Sequence, residues 1–536
     1  MPNKYIVTFA APTTNGDLHI GHLSGPYLAA DVFTRARRLL GDDVLFISFS
    51  DDYNNYVVRK AKQLNTSKEE LVTHYGIQIE NTLKKADIQV NHFMKALNNQ
   101  HYREAVHQFF YHVSNANTLF SNFSEIPFCQ DCKIYGYEAF ARGTCNYCGS
   151  STDSSQCETC ARPPVIDQIE DFKCIQCGQQ MSKVLVEQQF LKIEHYRKYL
   201  LEFYQKKPLR PALRQFIDTV SNQSNLTWAI TRPHEWGIKL PSDDTTILHT
   251  WFNGIAGYYG ASVEWSQQQD NPTLYRSYWH SPDTTLVHFI GFDCSFSHAV
   301  VYPCLLSEQN DYPKDIWIHT NAFLNLDGHY FSTSRGIAIW ASELLDYVSA
   351  DLLRFYLTLV APEQESADFR MREFCDTVNE KLVTCLNEIM SIVENSMQVQ
   401  VDEIPNIEYY TEQLYLLRED WIASASKSTF SMRRMGNVLV KLIDLMQEVA
   451  LQHPHELPRL FAMYSLMSLP IQPEFSRKLA DYLGLPEEWG LNWLRKGGSL
   501  PQLPRIQGSR QAPYFSKIAE EVVEKFAFKG TEYAVI

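Results

Sequence analysis

The run Tyr5-Ile6-Val7-Thr8-Phe9-Ala10-Ala11-Pro12-Thr13-Thr14-Asn15-Gly16-Asp17-Leu18-His19-Ile20-Gly21-His22 sets the architecture. Residues 5 to 10 read as a buried strand, Pro12 to Asp17 turn the chain, and an amphipathic helix follows from about His19 to Leu40. Gly41-Asp42-Asp43 ends the helix and Val44 to Phe49 supplies a second short apolar run. The first fifty residues thus make a strand, helix, strand unit whose loop lies at the carboxyl end of the first strand, the edge where open parallel sheets bind ligands.

His19 and His22 stand at i and i+3 of a helix N-terminus, where free N–H groups and the helix dipole favour an anion. Gly21 lets a nucleotide approach the backbone, and both imidazoles can donate to charge developing on a phosphate. Taken alone, the four residues fit a surface helix with two histidines, or a partial metal site, equally well.

Working outward, 536 residues with 45% hydrophobic content can bury more than one core, so two to four domains are expected. A formal charge of -14 argues against indiscriminate nucleic-acid binding but leaves room for a local basic face. No run of about 18 apolar residues spans a bilayer and the N-terminus carries no signal-peptide pattern, so a cytoplasmic protein without membrane contact is expected.

From about 115 to 190 the composition shifts to Cys, Gly, Ser and short polar turns, the texture of a metal-stapled insert. Cys129/Cys132, Cys145/Cys148, Cys157/Cys160 and Cys174/Cys177 are four Cys-x-x-Cys pairs, enough thiolates for two structural Cys₄ zinc sites. Disulfides are the alternative, which a reducing cytoplasm disfavours. Cys294, Cys304, Cys375 and Cys385 are scattered through core-like segments. Val287 to Gly291 and Ile316 to Leu326 look like strands, and from about Ala341 apolar residues recur at helical spacing.

Strand, Asn15-Gly16 turn, His19-Ile20-Gly21-His22 and helix, in this order, resemble the first signature of class I aminoacyl-tRNA synthetases. Trp228-Ala229-Ile230-Thr231-Arg232, Trp236-Gly237-Ile238, Trp251 with Gly257-Tyr258, and His288 to Asp293 with His298 look like segments of the methionyl-tRNA synthetase family. The resemblance implies ATP bound by Asn15, Gly16, Gly21, Gly291 and Asp293, with Asp293 on the ribose and His19 and His22 on the phosphates. It implies Asp52 on the α-ammonium of an amino acid. It also implies two zinc ions, the inner cysteine pairs sharing one and the outer pairs the other, with magnesium accompanying ATP.

Departures from the family pattern are as informative. The second signature, usually Lys-Met-Ser-Lys-Ser, reads Tyr330-Phe331-Ser332-Thr333-Ser334, so Ser332, Ser334 and Arg335 are left to meet the departing pyrophosphate. Where the family meets the substrate side chain with Leu, Tyr, Ala-Pro and Ile, this chain has Ala11, Thr13, Gly254-Ile255 and Cys294, while Trp251, Tyr258 and His298 are retained. Val378-Asn379 resembles the start of the anticodon-reading helix, but the expected Asn and Arg fall at Glu388 and Ile392, and a Pro-Trp step reads Pro454-His455.

The expectation is an α/β chain: a Rossmann-type nucleotide-binding parallel sheet with a zinc-knuckle insertion and a C-terminal α-helical bundle. Its divisions are 1-115 and 241-325 for the two halves of the catalytic domain, 116-240 for the insert, 326-370 for the stem region and 371-536 for the bundle. The expected activity is ATP-dependent activation of methionine or a related amino acid and its transfer to tRNA, by a monomer. A paralogue delivering the activated amino acid to another acceptor, and a non-catalytic tRNA-binding protein, are the alternatives.

Overall fold

In the computed structural model the described residues are 2–233, 236–331, 337–396, 408–503 and 511–527. Five parallel strands form the central sheet: β1 (Lys4–Phe9), β2 (Asp43–Phe49), β3 (His92–Met94), β4 (Thr285–Gly291) and β5 (Asp315–Asn321). Their order is β5-β4-β1-β2-β3. The chain therefore steps outward from β1 through β2 to β3 and returns to the other side of β1 at β4, so a topological switch point lies between β1 and β4. Strand interiors such as Ile6, Val7, Leu45, Phe46, Leu286 and Val287 are buried on both faces, as a sheet covered by helices requires.

The first crossover helix runs from Ile20 to Leu39 through a wide turn at Leu23–Tyr27, where Gly25 leaves helical geometry (φ -103°, ψ -112°). Its start is stapled by Asp17, which accepts from Leu18 N–H at 2.7 Å, Thr82 Oγ1 at 2.7 Å and Ser342 Oγ at 2.6 Å.

The insert is built on an antiparallel ribbon, Leu119–Cys129 against Ser182–Leu191. Beyond it a small core of Cys129, Ala141, Ile169, Phe172, Cys174 and Met181 packs around the outer cysteine pairs. The run expected as one strand from Ile316 to Leu326 is divided. Ala322 N–H turns to Pro362 O at 2.8 Å, and Leu324–Leu326 joins a separate sheet beside Ala367–Phe369.

From Ala350 onward the described residues are mainly helical, including Met432–Gln452 and Leu457–Ser468. Arg354 locks this bundle to the sheet domain, reaching Asp31 at 2.6 Å and the carbonyls of Ala86, Asp87, Pro470 and Ile471 within 3.0 Å. Breaking a buried charge pair of this kind costs about 3–5 kcal/mol, so the two parts are firmly joined.

Candidate functional site

His19 caps the first helix turn. The His22 N–H donates to His19 Nδ1 at 3.3 Å, and the His19 N–H donates to His22 Nδ1 at 3.2 Å. This reciprocal box replaces the usual Ser and Glu pair with two imidazoles. Because each Nδ1 accepts a backbone proton, the hydrogen-bond network assigns both rings the Nε2–H tautomer. The rings stack with centroids 3.7 Å apart. Burial holds His19 well below the ordinary imidazole range, with His22 adding to the effect, and lowers His22 to about 4 against the opposing pull of Asp17. At neutral pH the pair is thus uncharged, with two Nε2–H donors.

Both flanks of the second signature close on this pair. Phe331 stacks on His19 at 4.7 Å, Ile20 N–H donates to Ile339 O at 3.1 Å, and His19 bridges Trp340. A Cβ at Gly21 would lie 3.0 Å from Phe331 Cδ2 and from His19 Nδ1, which is why glycine stands there. Ser332, Ser334 and Arg335 lie outside the described residues.

At the end of β4 the Asp293 carboxylate folds back over Gly291, where a Cβ would meet Oδ1 at 2.3 Å. Burial first, then the charge of Glu158 from the knuckle, pushes Asp293 up to about 6. The loop after β1 leads Asn15 and Gly16 to the helix start, where a Cβ at Gly16 would lie 3.8 Å from the Trp340 ring.

The two aspartates after β2 face opposite ways. Asp52 is 1% exposed and its carboxylate is filled by Thr14 Oγ1 at 3.0 Å, Ser50 Oγ at 2.8 Å and Leu97 N–H at 2.7 Å. Burial pushes it up to about 7. Asp51 is half-buried instead, accepting from Thr13 at 3.3 Å, Asn54 at 2.9 Å and Thr250 at 2.7 Å, beside Trp251. Sequence reasoning passed over Asp51 and Thr250. Strand alternation carried past β2, with Ser50 and Asp52 on one side and Asp51 on the other, was the available signal.

Tyr258, Ile255, Trp251 and Cys294 belong to or pack against one core cluster with Ala11, while Thr13 is tied to Asp51. Tyr258 Oη donates to Phe9 O at 3.0 Å and contacts His298 Nε2 at 3.1 Å, and burial lowers His298 to about 3. A further residue, Tyr302, packs with its ring centre 4.4 Å from that of His298 and tilted by 54°, and its hydroxyl lies 1.6 Å from where a Cβ at position 254 would be. Gly254 is therefore matched to Tyr302, a pairing that no local pattern announces.

The cysteines gather as two tetrads, Cys129/Cys132/Cys174/Cys177 and Cys145/Cys148/Cys157/Cys160, with the sulfurs of each within 4.8 Å of one another. The insert meets the sheet domain through buried Glu138, which pairs with Arg232, accepts from Asn55 at 2.6 Å and lies 3.7 Å from His249. His249 Nδ1 in turn accepts from Trp251 N–H at 3.0 Å.

In the bundle, Glu388 is exposed and Ile392 part-buried, while Asn379 and Asn387 are each bonded in both directions to the backbone of the C-terminal segment, at Ile518 and Phe515. Among the described residues no helix is long and apolar enough to cross a membrane.

A doubly wound parallel sheet, a histidine-capped helix at its switch point and an aspartate at the neighbouring strand end define a nucleotide-binding α/β protein with a cysteine-knuckle insert. The family model described as tRNA synthetases class I (M) matches residues 5–393. The chain belongs to that family. It is 31% identical over 403 residues to the methionine–tRNA ligase of Pyrococcus furiosus, covering 72% of this chain and 56% of the relative. It is 31% identical over 384 residues to that of Thermoplasma acidophilum, covering 71% and 70%. The chain thus spans little more than half the length of the Pyrococcus relative. Mycobacterium tuberculosis methionyl-tRNA synthetase, solved in complex with methionyl-adenylate, shares the fold with a TM-score of 0.73 at 16% identity, covering 96% of this chain and 99% of that one.

Proposed function

We propose that the protein activates methionine, or an amino acid of similar shape, with ATP and transfers it to tRNA. The observation that carries this is the convergence of His19, His22, Asp293 and Asp51 at the carboxyl ends of adjacent parallel strands, in a chain of this family. The amino-acid carboxylate attacks the α-phosphorus, the bond to the β-phosphate bridging oxygen breaks, and pyrophosphate departs. A terminal ribose hydroxyl of the acceptor then attacks the carbonyl, loses its proton, and AMP departs.

In this reading the Nε2–H groups of His19 and His22 donate to oxygens of the α-phosphate as charge builds, and Asp293 accepts from the ribose hydroxyls. Asn15, Gly16, Gly21 and Gly291 give the nucleotide close access to backbone. Magnesium is held by the ATP phosphates. Ser332, Ser334 and Arg335 take the pyrophosphate in place of the missing lysines. The two cysteine tetrads would hold two zinc ions as closed, structural sites, their thiolates kept reduced in the cytoplasm. Trp251, Ile255, Tyr258, Cys294, His298, Ala11 and Thr13 line the side-chain pocket. The division into catalytic halves 1-115 and 241-325, insert 116-240, stem 326-370 and bundle 371-536 belongs to the same reading, as does a monomer.

Asp51, half-buried beside Thr250, holds the α-ammonium in this reading, whereas Asp52, 1% exposed, supports the loop. Asp51→Asn is expected to raise the KM for the amino acid by about 10²-fold, as loss of a charge-assisted contact does. Asp52→Asn is expected to lower Tm instead, with a small change in KM. The opposite pattern in steady-state kinetics and calorimetry would return the ammonium to Asp52.

Pyrophosphate exchange with ATP across a panel of amino acids, without tRNA, tests the activity. Exchange with methionine is the expected result. Exchange with another amino acid alone would place the changes at Thr13, Gly254 and Cys294 in charge of specificity, and silence across the panel would remove the adenylation reading.

A further inference from the structure

At the end of β5, Asn321 is 3% exposed, and its Nδ2 has no hydrogen-bond partner among the described residues. Its Oδ1 accepts from Arg210 Nη1 at 2.6 Å, and the same nitrogen donates to Thr320 O at 2.5 Å. A guanidinium only donates, so the amide atom facing it is the oxygen, and the amide is held with its nitrogen turned away from Arg210. A buried donor left unpaired is costly, and one beside a binding edge is completed when a ligand brings an acceptor to it.

The position of that donor follows from the sheet. Asn321 is in register with Gly291, the residue that ends β4 and leads to Asp293. The histidines follow β1, Asp293 follows β4, and Asn321 closes β5, which lies on the far side of β4 from β1. Strand ends about 4.8 Å apart therefore carry imidazole donors, then a carboxylate, then an amide. Phosphate, sugar and base succeed one another along a nucleotide in that order. The wide turn Leu23–Tyr27 passes over the amide, and a Cβ at Gly25 would lie 3.5 Å from Asn321 Nδ2, so the bare Cα keeps the space beside the donor free.

We infer that Asn321 holds the base of ATP, its Nδ2 donating to a ring nitrogen of the adenine, with Arg210 as the positioning residue that orients the amide. The inference deepens the adenylation reading above and rests on it. Adenine suits this donor because each of its ring nitrogens free of the ribose is an acceptor.

Calorimetric titration with ATP and with its 1-deaza, 3-deaza and 7-deaza analogues, each replacing one ring nitrogen by C–H, tests the assignment. In the native protein one of these analogues is expected to bind about tenfold more weakly than ATP, the equivalent of leaving one buried donor unpaired. Asn321→Ala is expected to bind ATP about tenfold more weakly than the native protein does, and to bind that analogue as it binds ATP. Should Asn321→Ala fail to fold, Asn321→Asp, which keeps an oxygen for Arg210 but offers no donor, is expected to lose the same discrimination. Arg210→Lys is expected to lower the preference for ATP over that analogue while leaving the Kd of the analogue unchanged. A native protein that binds every analogue as it binds ATP, or a preference that survives in the Asn321 variant, would overturn the assignment. Pyrophosphate exchange on the same native preparation reports the adenylation reading by itself: a preference that depends on Asn321, without exchange for any amino acid, would keep the base contact and remove that reading.

Discussion

His19→Ala is expected to slow pyrophosphate exchange by about 10²–10³-fold while leaving fold and zinc content unchanged. The reason lies in the reciprocal cap: each imidazole spends Nδ1 on the other's backbone N–H, at 3.2 and 3.3 Å, so each presents Nε2–H outward as a fixed donor. Removing one preorganised donor from a phosphoryl-transfer site costs about that factor. His19→Ala also removes the ring stacked 3.7 Å from His22 and the acceptor for the His22 N–H, so the double variant with His22→Ala should be little slower than either single one, because groups acting as a unit are not additive. Stopped exchange measured beside circular dichroism and zinc content checks this, and near-native exchange in the double variant would remove the histidines from the chemistry.

The same geometry gives a pH sign. His22 is lowered to about 4 in the folded protein, against about 6.5 for a free imidazole. The unfolded chain therefore binds the extra proton first, so the contribution of this group to stability is complete above about pH 6.5 and is lost as pH falls toward 4. His298, lowered to about 3, acts in the same direction. Asp52 and Asp293, raised to about 7 and 6, act in the opposite direction, their contributions being present at low pH and lost as pH rises through those values. In His22→Gln the acid limb of the stability curve should therefore flatten between pH 6.5 and 4.

Removing the inner metal site has the second largest expected effect. Cys157→Ser with Cys160→Ser should halve the zinc content from two ions per chain, expose the insert to proteolysis and cut kcat/KM for the amino acid by about 10²-fold or more. Structural zinc sites supply about 10–16 kcal/mol of apparent folding free energy, which the inner tetrad loses with two of its four thiolates. When the knuckle loosens, Glu138 leaves Arg232, which is buried beside His249. An unpaired buried charge costs about 3–5 kcal/mol, and the strain falls on the His249 to Trp251 contact at the pocket wall. Metal analysis, limited proteolysis and exchange kinetics on one preparation check the chain of effects. Full activity with one zinc lost would separate the knuckle from the pocket.

The local pattern of this sequence determined a good deal by itself. Apolar runs at 5–10 and 44–49 around a helical repeat specify a parallel strand, helix, strand unit, because side-chain period and right-handed crossover are local properties of the chain. The Cys-x-x-Cys spacing likewise specifies knuckles, because two residues are what a turn needs to bring two thiolates onto one ion.

Tertiary structure alone decided the rest. Strand alternation separates Asp51 from Asp52, but that Leu97 N–H and Thr14 Oγ1 meet the Asp52 carboxylate while Thr250 Oγ1 meets Asp51 was decided by packing. The division of 316–326 into two strands depends on Pro362 and Ala367–Phe369, some forty residues away. The contacts of Phe331 with His19, of Tyr302 with the space at Gly254, and of Tyr147 in the knuckle with Gln223 join residues distant in sequence. Which residues meet across such distances is fixed by how faces pack in three dimensions, and periodicity along one segment carries no information about the partner that covers it.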